Sequence, residues 1–437
     1  MSYAEFIAAK AARVPPAGIA VDVADLHPML HGWQREIVQW AAGVGRAAIW
    51  ADTGLGKTVM MCQWAHAMTA PTGGVALIVA PLAVCSQTVR EAAKVNLPAR
   101  YVRDGADIAG PGLYVTNYEM VPRFDPTALT AVVLDEASIL KQADGKTRNM
   151  LIEHFAGVPY RLSCTATPAP NDPEELTSQA EFLGHMTRAN MLAAYFVHDD
   201  QGWRLKGHAR GPMLAWMSGW ATALRRPSDI GYPDDGYVLP GLEVVPHLLP
   251  VNSTPADQLF ATDLGGVGGR AKIRRETLTA RCERAAELVA AEPDESWLLW
   301  AGLNDEADML AALIPGAVNV HGAWSPEEKA TALLGFADGD IKTLITKPSI
   351  AGFGMNWQHC ARMAFVGLSD SYETYYQSIR RCYRYGQDRV VHAHVVLSEL
   401  EAQIAANIAR KERDATTITG ALVDEMRRAR TRQEIAS

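Results

Sequence analysis

Cysteines paired at metal-binding spacing are missing from this chain. The six it has, Cys62, Cys85, Cys164, Cys282, Cys360 and Cys382, are scattered with no Cys-x-x-Cys pair, which argues against a zinc ribbon and fits thiols kept reduced in a cytosol. No apolar run is long enough to span a bilayer. Met1 to Ala20 carries Glu5, Lys10 and Arg13 and lacks a continuous apolar core, so no signal peptide is expected. Positive charge is also in short supply. Against 49 acidic residues stand 41 Lys and Arg, a net charge of −8, so any nucleic-acid binding must rest on local sites rather than on a global field. What remains is a non-secreted globular protein. Its 437 residues, 48% hydrophobic and 21% charged, are enough for two to four domains with ample core.

What the chain does have is a glycine loop between a strand and a helix. Ala48-Ile49-Trp50-Ala51 reads as the strand, Asp52-Thr53-Gly54-Leu55-Gly56-Lys57-Thr58 as the loop, and Val59 to Ala65 as helix-compatible. This is the layout of a phosphate-binding loop. Gly54 and Gly56 let backbone N–H groups turn inward toward phosphate oxygens, and the helix start presents its positive dipole end. Lys57 can reach the terminal phosphates, and the Thr58 hydroxyl can ligate Mg²⁺. The first glycine of the general pattern is Ala51 here; an ordinary glycine turn before a helix is the alternative.

Upstream, Leu30-His31-Gly32-Trp33-Gln34-Arg35 precedes an apolar-periodic helix ending near Trp40. Trp33 and Gln34 can stack on and hydrogen-bond an adenine edge; a helix start with a packed tryptophan is the competing reading. Downstream come Gly74 to Pro81, a helical pattern from Val84 to Lys94, a strand-like Leu113 to Tyr118, and Ala131 to Leu134 followed abruptly by Asp135 and Glu136. Wholly apolar strands alternating with helices predict a parallel sheet covered on both faces, whose ligands sit off the carboxyl ends of the strands. Asp135 and Glu136 fall there. Asp135 can hold Mg²⁺ through water, and Glu136 can polarise a water attacking the γ-phosphate; elsewhere, adjacent acids ending a strand are usually a solvated turn. Tyr160 to Pro168 reads as a further strand ending in small hydroxyl residues, placed to relay nucleotide state.

From about 186 to 250 the alternation breaks into a stretch rich in Trp, Gly, Pro and Arg, including Gly202-Trp203-Arg204-Leu205-Lys206-Gly207-His208. Interleaved cations and rings can track a phosphate backbone and stack on bases; a helical lid with a solvated face has the same composition. A second α/β series starts at Lys272, with strands near Trp297, Val318 and Ile341 and a capping box at Ser325-Pro326-Glu327-Glu328. It leads into a second glycine loop, Ala351 to Trp357. A helix is expected from Tyr372 to Tyr385, where Gln377, Arg381 and Arg384 at spacings of four and three share one face. Such arginines are usually solvated cations, but facing a nucleotide they can add positive charge to the phosphates as the transition state forms. A last strand, Val390 to Leu397, and an exposed helical tail close the chain.

In this order the motifs resemble those of a superfamily-two helicase, and within it the Swi/Snf-type DNA translocases, over about residues 27 to 410. Leu30-His-Gly-Trp-Gln34 looks like the adenine-reading segment, and Asp52-Thr-Gly-Leu-Gly-Lys-Thr58 resembles the family's Asp-Glu-Met-Gly-Leu-Gly-Lys-Thr. Ala80-Pro81-Leu82 and Val115-Thr116-Asn117-Tyr118-Glu119 are similar to the first-lobe segments that touch the tracked strand. Asp135-Glu136-Ala137-Ser138 stands where the family has Asp-Glu-Ala/Gly-His, so Ser138 departs from the pattern. Ser163 to Pro168, with Asn171 behind it, resembles the third motif, and Ala223 to Arg226 with Leu239-Pro240 the link between lobes. Gly352-Phe-Gly354-Met-Asn356 matches a Gly-x-Gly-x-Asn loop. Gln377-x-x-x-Arg381-x-x-Arg384-x-Gly386-Gln387 is the most specific match, its trailing Gly-Gln being a habit of this group.

The resemblance implies an α/β fold of two RecA-like lobes, each a parallel sheet flanked by helices, with a small mostly helical insert between them. The boundaries expected are 1–26 for an N-terminal extension, 27–185 for an ATP-binding lobe, 186–250 for insert and link, 251–410 for a second lobe and 411–437 for a helical tail. ATP and Mg²⁺ are implied in a cleft between the lobes. Catalysis falls to Lys57, Asp135, Glu136, Arg381 and Arg384, and metal binding to Thr58 and Asp135. Nucleotide contacts fall to Trp33, Gln34, Asp52, Thr53, Gly54, Leu55, Gly56, Lys57, Thr58, Gly354 and Asn356. Pro81, Thr116, Asn117 and Thr165 are the implied nucleic-acid contacts, to which the basic residues Arg204, Lys206 and Lys347 are added as candidates. The activity implied is ATP-driven movement on double-stranded or branched DNA by a monomer, with a loading protein as a further partner and no membrane. The rivals are an RNA-dependent helicase and an ATP-gated scaffold with little turnover. Without the long insertions of chromatin remodellers, the chain resembles the small helicases of bacteriophages and prophages, which implies a bacterial or phage-infected cytoplasm.

Overall fold

The computed structural model describes residues 17–141, 145–170, 172–200, 202–250, 274–351, 355–369 and 371–436. The chain divides into two units, Met1–Tyr237 with Arg413–Ser437, and Val238–Glu412.

In the first unit the strands are β1 (Arg46–Ala51), β2 (Val75–Ala80), β3 (Ala99–Tyr101), β4 (Gly112–Asn117), β5 (Ala131–Asp135), β6 (Tyr160–Cys164), β7 (Phe196–Asp199), β8 (Gly202–Leu205) and β9 (Ala221–Leu224). Seven of them form one sheet in the order β3-β4-β2-β5-β6-β1-β9, and every pair in it is parallel. Helices such as Lys57–Thr69 and Leu82–Lys94 cover it, which is why β1, β2 and β5 are apolar on both faces and buried almost throughout. One strand, β6, separates β1 from β5. Ile49 and Asp135 are both in register with Cys164, so the ends of β1 and β5 emerge at nearly the same level.

The stretch expected to be a separate insert is not separate. Up to Tyr237 it packs with the first unit, and it mixes the helices Arg188–Tyr195 and Arg210–Met217 with the β7–β8 hairpin and β9. Burial of indole explains this. Trp220 meets Trp50 edge-on at 5.8 Å and Trp216 at 5.3 Å, contacts worth about 0.5–1.5 kcal/mol each beyond the area they bury, and this draws β9 onto the sheet beside β1. The tail is likewise not simply exposed. The helix Ala402–Ala436 carries Leu422 and Val423 into the core of the first unit.

The second unit is a six-stranded parallel sheet built from β10 (Leu242–Leu249), β11 (Trp297–Ala301), β12 (Val318–Asn319), β13 (Thr343–Thr346), β14 (Arg362–Val366) and β15 (Val391–Ser398). Their order is β10-β15-β14-β11-β13-β12, so the chain placed in the link as far as residue 250 already supplies an edge strand here. The capping box forms: Ser325 Oγ accepts from Glu328 N at 3.2 Å, and Glu328 Oε2 accepts from Ser325 N at 2.7 Å. The helix beginning at Tyr372 ends at Ile379, short of the expected Tyr385, and the residues that follow are turns. The architecture is α/β throughout, two parallel sheets flanked by helices.

Candidate active site

The loop after β1 takes its shape from its glycines. Gly54 and Gly56 have φ of +85° and +72°, a left-handed backbone that costs other residues energy. A Cβ on Gly56 would also lie 2.4 Å from Gln34 Nε2. The helix Lys57–Thr69 starts directly behind. Gln34 fastens the loop: its Nε2 donates to Leu55 O at 3.0 Å, and its Oε1 accepts from His31 N at 2.9 Å. Lys57 folds back under the loop, donating to Ala51 O at 2.7 Å and Asp52 O at 3.2 Å. Asp52 Oδ1 accepts from Thr53 N at 2.6 Å.

Three carboxylates bear on that lysine. Burial lowers its pKa, while Glu136, then Asp52 and Asp135, resist the shift. Asp135, only 5% exposed, is pushed up to about 7, first by burial and then by the charge of Glu136, although Lys57 and the Glu136 N–H pull the other way. A carboxyl held in this state gains from any cation that reaches it. Its neighbour Glu136 is in the left-handed region at φ +54°; such conformations cost about 1–3 kcal/mol and collect at working sites. Tyr118 Oη donates to Asp135 O, fixing the strand end. The donors around the glycine loop and the acidic pair fit a nucleotide polyphosphate with Mg²⁺: a lysine and helix N-terminal N–H groups for anionic oxygen, and Thr58 with Asp135 for the metal.

Several expected contacts lie elsewhere. Trp33 is 3% exposed, stacked with His31 and edge-on to Tyr237 at 5.9 Å, so its ring fills core and offers no platform to a base. Leu55 is buried as well. Thr116 and Thr165 are wholly buried and cannot touch a nucleic acid from the surface. Thr116 Oγ1 donates to Val102 O at 2.8 Å, and Thr165 Oγ1 accepts from Thr167 N at 3.1 Å. Asn117, also buried, accepts from Tyr101 Oη and donates to Glu119. Pro81 precedes the helix Leu82–Lys94, with Leu82 exposed beside it. Arg204 pairs with Asp199 at 2.6 Å across the hairpin, and Lys206 donates to Ala193 O and Ala194 O near the end of a helix. Asn171 and Gly354 lie outside the described residues.

In the second unit, Arg381 is buried and acts first as a tie. It donates to Gln377 O at 2.9 Å, to Gln377 Oε1 at 2.8 Å and to Met355 O at 3.2 Å. Arg384 donates to the same Met355 carbonyl at 3.3 Å. Both guanidiniums therefore converge beside Asn356, which is exposed, although neither arginine lies within the helix Tyr372–Ile379. Lys347 donates to Asn304 Oδ1 on the rim of a pocket of about 210 Å³ lined also by Arg274, Trp300, Gly302 and Gly367. Sequence reading missed the ion cluster under this pocket, where Arg281 and Arg274 hold Glu306 at 2.8 and 2.9 Å. Burial pushes Glu306 up, but the hydrogen bonds and charges of Arg274 and Arg281 outweigh it and keep the carboxyl below its ordinary range. No periodicity announces such a cluster. It missed Gln179 too, whose partners, Ser163 on β6 and Ala137 after β5, come from two separate elements.

A glycine loop ending in lysine and an acidic strand end, one strand apart at the carboxyl edge of a parallel sheet, give the first unit the layout of a phosphate-loop α/β domain. The second unit has its own signature: residues 283–386 match the family model of the helicase conserved C-terminal domain, in keeping with the resemblance to superfamily-two helicases. No curated protein matches the chain. Among solved structures, the SWI2/SNF2 ATPase core of Sulfolobus solfataricus in complex with double-stranded DNA is similar, with 18% identity and a TM-score of 0.45 over 92% of this chain and 96% of that one.

Proposed function

We propose that the protein is an ATP-dependent DNA translocase of the superfamily-two, Swi/Snf type, turning ATP hydrolysis into movement on double-stranded or branched DNA. The observation that carries the reading is the grouping of Lys57, Asp135 and Glu136 around one glycine loop, with Asp135 pushed up in pKa and Glu136 held in a left-handed backbone. In this reading the loop N–H groups and Lys57 bind the phosphates, Thr58 and Asp135 hold Mg²⁺, and Glu136 takes a proton from the attacking water. Arg381 and Arg384 supply positive charge to the phosphates during turnover. The helicase C-terminal match of the second unit supports coupling to nucleic acid.

The test is ATP turnover with no nucleic acid, single-stranded DNA, duplex DNA, forked DNA and RNA, with Glu136→Gln beside each. Stimulation by duplex or forked DNA that vanishes in the mutant is expected. Stimulation by RNA alone, or slow turnover indifferent to every nucleic acid, would sink the translocase reading. Activity on DNA should also fall steeply with salt, because phosphate contacts release counterions.

A further inference from the structure

Two described non-glycine residues have a left-handed φ, Asn96 and Glu136. Asparagine tolerates that conformation, whereas glutamate holds it only where its surroundings over-determine it. The carbonyl next along, Ala137 O, accepts from Gln179 Nε2 at 3.0 Å. Gln179 Oε1 accepts in turn from Ser163 Oγ. Gln179 lies on the helix Leu176–Leu183 and Ser163 on β6, and both are buried, Gln179 at 1% and Ser163 at 0% exposure. A buried amide and hydroxyl are costly unless bonded. Here both join in one line from β6 through the helix to the acidic loop. Ser138, the position that departs from the family pattern, gives the loop only a 3.5 Å contact with Glu136 O.

We infer that Gln179 is a positioning residue for Glu136. Its amide clamps the Ala137 carbonyl, keeps Glu136 left-handed and so fixes where its carboxylate sits, a support that the long Ser138 contact does not supply. The inference rests on the hydrolysis reading above for its effect on turnover, but its structural content stands apart from it.

The test is Gln179→Leu, similar in size and unable to bridge, with Gln179→Met as a second variant should the first not fold. The expected result is a fall in kcat for ATP of between about tenfold and a hundredfold, with KM changed by less than about twofold because the phosphate loop is untouched. In a Glu136→Gln background the same substitution should remove no further turnover. A second cycle needs no activity. Gln179→Leu should destabilise the wild type more than it destabilises Glu136→Gly, where glycine needs no clamp to stay left-handed. Unchanged kcat in an active wild type, or an equal stability loss in both backgrounds, overturns the inference. A wild type without turnover defeats the proposed function instead, and the stability cycle then decides this point alone.

Discussion

Replacing Asp135 by Asn is expected to stabilise the ligand-free protein, and the gain should depend on pH. In the folded state burial and Glu136 raise the Asp135 pKa from 3.8 to about 7. Below pH ~4 the group is protonated whether the chain is folded or not, and it contributes no difference. Between pH ~4 and ~7 the folded state keeps a proton that the unfolded chain releases, so stability falls as pH rises. Above ~7 the carboxylate is charged in both states and the penalty is constant. At about 1.4 kcal/mol per pH unit the full penalty is about 4 kcal/mol. Side-chain relaxation reduces it, and so does Lys57, which loses one of its three anionic neighbours in the variant. A net gain of about 2–4 kcal/mol at pH 8, shrinking to nearly nothing at pH 4, is the expectation. Urea unfolding of wild type and Asp135→Asn at pH 4, 6 and 8, without nucleotide or metal, measures it. Parallel stability curves for the two proteins, or a variant less stable at pH 8, would refute the reasoning. Saturating Mg²⁺ should close the gap, because a cation bound at the carboxylate supports the charged form.

Glu136→Gly should leave the ligand-free protein more stable by up to about 1 kcal/mol, since it removes left-handed strain of about 1–2 kcal/mol and adds a smaller backbone entropy cost. Turnover should be lost, and stability lost together with turnover would count against strain at this residue. Gly367→Ala should destabilise the second unit by about 3 kcal/mol or more. The new Cβ would lie 2.4 Å from Arg274 Nη2 and 2.8 Å from Arg281 Nη1, at a glycine with φ of +100°, and both guanidiniums are held on buried Glu306. Thermal unfolding of the two proteins decides it, and an unchanged midpoint would mean that the cluster yields easily.

The strands that position the site could be read from sequence because a parallel sheet covered on both faces demands unbroken apolar runs. Val75–Ala80 and Ala131–Asp135 show them directly. Strand β9 was not readable. Its four residues closely follow the helix Arg210–Met217, and a short apolar run beside a helix has no period of its own. Trp33 misleads for a related reason: consecutive helix positions point about 100° apart. A helix that turns Gln34 toward the glycine loop must therefore send Trp33 somewhere else, and here it goes into the core. Arg381 and Arg384 do not share a helix face as their spacing suggested; they meet at the Met355 carbonyl through turns beyond Ile379.

The hydroxyl residues that end β6 show how a motif can lie in the expected place and work differently. Their position beside the acidic pair suggests hydroxyls that hydrogen-bond the acids and relay nucleotide state. Thr165 and Ser163 are completely buried, so neither can sense a nucleic acid by touching it. Yet β6 is the one strand hydrogen-bonded to both β1 and β5, with Cys164 in register with Ile49 and Asp135. A shift of this strand must move the ends that carry the glycine loop and the acids together. Ser163, pointing to the face opposite Cys164, ties the same strand through Gln179 to Ala137 O. The interior of the first unit therefore gives β6 mechanical purchase on the phosphate loop from one side and on Glu136 from the other. Substitutions that loosen β6 should lower kcat and weaken nucleotide affinity together, which turnover and nucleotide titration of one variant would measure.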